Sequence, residues 1–266
     1  MTIRPIVFLS DYGLSDPFVG ICHGVIARIT PEAKVIDLTH AIPRQDVLRG
    51  AIELGRAIPY LPPDAVFVAV VDPGVGSARR SIAVAAAGAF LVGPDNGVLS
   101  VAWRALGGAD SAVEISNEDI VLSPVSRTFH GRDVFAPAAA HLARGVPLDR
   151  LGPPVGVVSL GRLEVPQPMV APGAVGARVT GVDGFGNVQL NATMSDLQAG
   201  QVEIVERVLI VNGRKLPCAG TFAELPEHEP GVIVDSQGFL SLVVNHGNAA
   251  AMLRLRPGDP VIVEGR

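Results

Sequence analysis

The sequence predicts an α/β domain with a mainly parallel sheet, followed by a smaller all-β domain. Three observations carry this. Strand and helix patterns alternate over residues 1–152, proline crowds residues 153–172, and helical periodicity almost vanishes over 173–266. Alternating buried strands and amphipathic helices are what a helix-covered parallel sheet requires.

Residues 6–9 (Ile-Val-Phe-Leu) read as a buried strand. Phe18, Ile21, Cys22, Val25, Ile26 and Ile29 share one helical face, which predicts a helix over 18–29. Residues 35–38 read as a strand, 47–58 as a helix, 66–71 as a strand, 82–86 and 90–92 as strands, and 97–106 and 134–143 as helices. Pro153, Pro154, Pro166, Pro168 and Pro172 mark an ordered connection. Beyond it, residues 175–182, 188–190, 202–205, 208–211, 232–234, 240–244 and 261–263 read as strands of a barrel or sandwich. Asn212-Gly213 between two of them signals a two-residue hairpin.

The chain has 266 residues, 48% hydrophobic and 18% charged, which describes a folded protein rather than a disordered one. A net charge of -5 gives no basis for a nucleic-acid or anionic-membrane partner. Two cysteines far apart in sequence argue against a disulfide framework and fit a reducing compartment. No signal-peptide pattern or bilayer-length apolar run is visible, so a cytoplasmic protein is expected.

Two loops concentrate the chemistry. Asp72-Pro-Gly-Val-Gly-Ser-Ala-Arg79 follows a buried strand, and Thr128-Phe-His130-Gly-Arg-Asp133 precedes a helix. The carboxyl ends of strands in open α/β sheets are where ligands bind. An Asp, an Arg and a His from two such loops could meet in one pocket, although each stretch also reads as a tight turn. The polar loop Ser10-Asp11-Tyr-Gly-Leu-Ser-Asp16 fits a ribose or phosphate site. It fits helix capping as well, with Ser15 or Asp16 ahead of Pro17. Asp183-Gly-Phe-Gly-Asn187 presents an acid and an amide together, a pair suited to an amino-acid head group. The chain lacks GxxxxGK[ST], HxH, HExxH, CxxC and GxSxG, which removes the usual grounds for a nucleoside triphosphate, a zinc ion or a serine nucleophile. On residue type alone, an Asp11/Asp72/His130 metal set stays open.

Taken in order, SDYGLSDPFVG, VDPGVGSAR, TFHGRD, DGFGN and DSQGFL resemble the S-adenosylmethionine hydroxide adenosyltransferase family. These are adenosine-forming S-adenosylmethionine hydrolases related to fluorinating and chlorinating enzymes. The resemblance implies a Rossmann-like first domain, a β-barrel second domain, and a homotrimer with the ligand between domains of neighbouring subunits. It implies that Asp72, Arg79 and His130 stand near the attacking water. Asp16, with Asp11 in the same loop, would hold the ribose, and Asp183 and Asn187 the methionine end. Phe222, Ser236, Asn245 and Asn248 would lie about the adenine. S-adenosylmethionine is then the substrate, with no further cofactor and no metal.

Departures from the halogenating relatives favour water. They carry a Tyr-Pro-Ala-Thr-Gly-type loop where this chain has Asp72-Pro-Gly-Val-Gly76, and the fluorinating ones a serine where Gly131 stands. A halide beside a carboxylate, at an effective dielectric of ~20, costs on the order of several kcal/mol. A chloride-using halogenase and a non-catalytic binder of adenosine or S-adenosylmethionine are the competing expectations. Arginine is common in the family where Gln237 stands.

Overall fold

The computed structural model describes residues 2–265. The chain forms two compact units, Met1–Val165 and Pro166–Arg266.

The first unit contains β1 (Ile6–Ser10), α1 (Phe18–Ile29), β2 (Val35–Thr39), α2 (Val47–Ala57), β3 (Val66–Val70), β4 (Ser81–Ala86), β5 (Ala89–Pro94), α3 (Ser100–Ala105), β6 (Ser111–Glu114), α4 (Ala136–Ala143) and β7 (Pro154–Val155). They build a seven-stranded sheet in the order β2-β1-β3-β5-β4-β6-β7. β1 and β3 are buried along their whole length because both faces of the sheet are covered. The two-residue period sorts their side chains. Ile6, Phe8, Val66 and Val68 face Cys22, Ile26 and Ala139, whereas Val7, Leu9, Phe67 and Ala69 face Leu54, Ala102 and Trp103.

The sheet is mixed rather than mainly parallel. β2, β1, β3 and β5 run parallel, but β4 is antiparallel to β5 and to β6, and β6 is antiparallel to β7. The cause is visible between β4 and β5. Only Ala87 and Gly88 connect them, both at positive φ (47° and 84°). Two residues close a hairpin, whereas a parallel return needs a crossover of about a dozen residues or more.

The second unit contains β8 (Met169–Ala171), β9 (Ala174–Val182), β10 (Val188–Thr193), α5 (Met194–Ala199), β11 (Val208–Val211), β12 (Arg214–Pro217), β13 (Pro230–Val234), β14 (Phe239–Val244), α6 (Ala249–Leu253) and β15 (Pro260–Glu264). Its eight-stranded sheet runs β12-β11-β15-β9-β10-β14-β13, with β8 on β9. A parallel bridge from Cys218 to Val232 joins the β12 and β13 ends, so the sheet is nearly a barrel. Its interior is apolar, with Val175, Leu190, Leu209, Leu242 and Val261 buried. The Asn212-Gly213 hairpin forms as expected, with both residues at positive φ (49° and 77°). Residues 202–205 do not form a strand, and only an isolated bridge from Val205 to Val208 remains there. Among the described residues, no helix is long and apolar enough to cross a membrane.

Candidate active site

The loop after β3 carries Asp72 and folds back so that Arg79 reaches it. The backbone N–H of Val75 bonds the Asp72 carbonyl (3.3 Å), and both the N–H and the hydroxyl of Ser77 bond the Gly74 carbonyl (3.1 and 2.7 Å). Gly76 sits at φ +77°, and a Cβ there would lie 2.3 Å from the Arg127 carbonyl oxygen. Glycine is required on both counts. That close approach packs this loop against the segment leading to His130.

Arg79 is the hub. Its Nε donates to Asp72 Oδ1 (3.0 Å), its Nη2 to Asp72 Oδ2, and its Nη1 to Ser81 Oγ (2.7 Å). Nη2 also lies 2.8 Å from His130 Nδ1. The Asp72 and Arg79 side chains are 6% and 11% exposed, so the pair is largely shielded from water. The guanidinium lies 5.4 Å from the centre of the Phe135 ring. Arginine has no acceptor and stays protonated, so His130 Nδ1 must accept, and the neutral ring carries its proton on Nε2. Burial, then the Arg79 charge, lowers the His130 pKa, against smaller opposing effects of Asp72 and Asp133. His130 is thereby held neutral, with an Nε2–H to give.

His130 directly precedes a π-helical turn, Gly131–Phe135, that leads into α4. Within that turn Asp133 is buried, accepts from Arg132 Nε (2.6 Å) and Nη2 (2.9 Å), and takes the Ser126 N–H (2.8 Å). Tyr12 closes the other side. A Cβ on Gly131 would stand 2.1 Å from the Tyr12 hydroxyl oxygen. The Tyr12 ring meets Phe18 (5.8 Å) and Phe129 (5.7 Å), and those two meet each other (5.2 Å). Burial, reinforced by Cys22, Asp11 and Asp72 and opposed by Arg79, pushes the Tyr12 pKa well up, so its hydroxyl stays protonated. Tyr12, Ser81 and Phe135 carry no sequence signal of their own; Tyr12 lies within SDYGLSDPFVG, where nothing in residue type singles it out.

In the loop after β1, Asp11 Oδ2 accepts the Gln45 N–H (2.9 Å), which ties the loop to the segment before α2. Asp16 is exposed. The capping alternative fails here, since Pro17 holds the N-cap position of α1 and no side chain caps that end.

In the second unit, Asp183 Oδ1 accepts the N–H groups of Phe185 and Asn187 (2.9 Å each), and Oδ2 accepts Asn187 Nδ2 (2.8 Å). Asn187 lines a cavity of roughly 470 Å³ with Phe185, Phe222, Val244, Asn245, His246 and Gly247. Asn245 Nδ2 donates to the Leu225 carbonyl (3.2 Å). Asn248 caps α6 through the Ala251 N–H (2.8 Å), and its side chain packs where a Cβ on Gly186 would fall. Ser236 is exposed in the turn between β13 and β14. Ser236 and Asn248 do not line that cavity. Neither thiol is poised as a nucleophile at neutral pH, because burial pushes Cys22 up to about 12 and Cys218 up to about 11.

The SAM hydroxide adenosyltransferase N-terminal domain family matches residues 6–152, and the corresponding C-terminal domain family matches residues 177–262. An (R)-S-adenosyl-L-methionine hydrolase of Salinispora arenicola is 52% identical over 260 residues, covering 97% of each chain. A fluorinase of Actinopolyspora mzabensis is 30% identical over 98% of this chain and 97% of its own. The crystal structure of an uncharacterized conserved protein from Thermotoga maritima superposes with a TM-score of 0.89 at 37% identity, over 97% of this chain and 99% of that one. The chain belongs to the SAM hydroxide adenosyltransferase family.

Proposed function

We propose that this chain hydrolyses S-adenosylmethionine, with water attacking the ribose C5′ to give adenosine and L-methionine. The observation that carries this is the Asp72–Arg79–His130 cluster, assembled in a chain that matches a hydrolase over nearly its whole length. The leaving group is a thioether expelled from a sulfonium, so it departs neutral and needs no general acid. The demand falls on the nucleophile, which must be oriented and must lose a proton.

The hydrogen bonds divide that labour. His130 donates from Nε2 and so holds the water oxygen. With Nδ1 taken by Arg79, the ring has no nitrogen left to accept the proton. Asp72 keeps further lone pairs beyond those facing Arg79 and is the proton acceptor in this reading. Arg79 fixes both partners and offsets the growing negative charge. The chemistry asks for no metal and no cofactor. A carboxylate at the nucleophile's position also disfavours a halide there.

The assignments for the remaining residues follow the same proposal. Asp16, helped by Asp11, takes the ribose hydroxyls, and nothing in helix capping competes for it. Asp183 and Asn187 take the methionine end. Phe222 and Asn245, which share a cavity with Asn187, lie about the adenine with Ser236 and Asn248. A Rossmann-like first domain, a homotrimer and a cytoplasmic location belong to this reading too, and light scattering of the purified protein checks the trimer.

The deciding experiment incubates the protein with S-adenosylmethionine in oxygen-18 water, with and without chloride. Labelled adenosine and methionine are expected in both. A 5′-halogenated nucleoside as main product, or no consumption of substrate, overturns the proposal.

A further inference from the structure

We propose that His23, Asp37 and His40 form a binding site for a divalent first-row transition metal such as Zn²⁺, built from different residues than the catalytic cluster. His23 lies on α1, Asp37 within β2, and His40 just beyond the end of β2. His23 Nε2 and His40 Nε2 each lie 2.9 Å from Asp37 Oδ1. One ligating atom from each of the three residues falls within 4.8 Å of the others.

His40 is oriented the way a metal-ligating histidine is. His40 is buried, and its Nδ1 is 2.7 Å from the hydroxyl of the fully buried Ser10. That contact fixes the ring and turns Nε2 toward Asp37. An oriented imidazole whose second nitrogen is engaged by a neighbouring polar group is the usual outer support of a metal ligand. Phe8 holds both rings, edge-on to His40 at 4.8 Å and 6.3 Å from His23. The His23 and Asp37 side chains are 34% and 44% exposed, so an ion has a route in and water can complete its shell.

Two imidazoles and one carboxylate suit zinc and its neighbours rather than magnesium or calcium, which take oxygen ligands. Metal–ligand bonds of about 2.0–2.1 Å place the ligand atoms of a tetrahedral site about 3.3 Å apart. The 2.9 Å pairs need to part by only a few tenths of an ångström. No motif announces the site because its ligands come from a helix, a strand and a loop that sheet pairing brings together.

The ion would act as a clamp. The Gly13 N–H bonds the His40 carbonyl (2.7 Å), and the Tyr12 N–H reaches the Ser10 hydroxyl (3.3 Å). Metal binding would therefore stiffen the start of the loop that carries Asp11 and Asp16. It would leave the attacking-water cluster unchanged.

The test titrates the full-length, chelator-treated protein with Zn²⁺ by calorimetry and with Co²⁺ by visible absorption. One equivalent per chain is expected, with d–d bands of a low-symmetry nitrogen and oxygen site and a raised melting temperature. His23→Gln, on an accessible helix face, should fold normally and bind about tenfold more weakly or worse. Asp37→Asn should do the same, whereas His228→Gln, in an exposed loop, should bind like the parent. Absence of Zn²⁺ binding at micromolar concentration overturns the proposal. So does equal affinity in the parent and the His23→Gln and Asp37→Asn proteins.

Discussion

Two acidic loops of this molecule hold their carboxylates in opposite ways. Asp72 is held by a cation, Arg79, seven residues along the chain. Asp183 is held within its own turn by three neutral donors, two backbone N–H groups and one side-chain amide. The first arrangement has no net charge and shares its guanidinium with His130. The second keeps a full negative charge with its geometry fixed. A neutral, oriented cluster suits handling a water molecule. A rigid anion suits holding a cationic ammonium group. The same residue type is thus given two different environments by what donates to it.

Breaking the ion-paired arrangement should have the largest effect. Arg79→Met leaves Asp72 shielded and unpaired and His130 without its donor. Turnover should fall about 10²–10⁴-fold. The cost of an uncompensated buried charge, about 3 kcal/mol, should appear in denaturant melts. A mutant that turns over normally would show that the cluster only holds the fold. Gly76→Ala attacks the same loop through the backbone, with strain at φ +77° and a Cβ against the Arg127 carbonyl. It should destabilise by more than about 1 kcal/mol and lower turnover together.

The neutral state of His130 can be tested by pH. Its folded pKa lies below the ordinary 6.5. Between those two values the unfolded chain binds the additional proton, so the contribution to stability is full above pH 6.5 and is lost as pH falls through the folded pKa. His141 shifts in the same direction and adds to this slope. The acid limb of kcat/KM, which reports the free enzyme, should accordingly lie below 6.5. His130→Asn, which can still accept from Arg79, should flatten the slope of melting temperature against pH and lose that limb.

The Asp183 turn should answer differently. Asp183→Asn should cost only about 1 kcal/mol of stability, the scale of a net hydrogen bond. KM for S-adenosylmethionine should rise, with kcat at saturation largely kept. A fall in kcat with KM unchanged would mean the two loops do not divide the work. The smallest expected effect is Asn248→Ala, which removes the α6 cap at about 1 kcal/mol and should be visible mainly in the melting curve.

Much of this was legible in the chain because it is local. Strands such as Ile6–Ser10 and Val66–Val70 advertise burial on both faces, and Asn212-Gly213 advertises its hairpin. The loops bearing Asp72, Arg79 and His130 were legible from residue type and position. Their mutual bonding was not, since it depends on how far the Arg79 side chain folds back. The mixed sheet was misread although its sign was printed between two strands, where Ala87-Gly88 is too short for a crossover. Residues 202–205 have strand composition but find only one bridging partner. Tyr12 could not be ranked at all, because its importance lies in the space above Gly131, and sequence order is silent about space.

That space bears on how such a protein can change by mutation. Any side chain at position 131 meets the Tyr12 hydroxyl, and Tyr12 in turn leans on Phe18 and Phe129. Substitutions at 131 and 12 are therefore not independent, and the order in which they arise matters. A serine at 131 arriving first would meet a filled site and be purged as a packing defect. The same serine arriving after Tyr12 had become smaller would be tolerated. Where the tyrosine is replaced first, a hydroxyl at 131 has room; where it is kept, a side chain at 131 requires the Tyr12 ring to move.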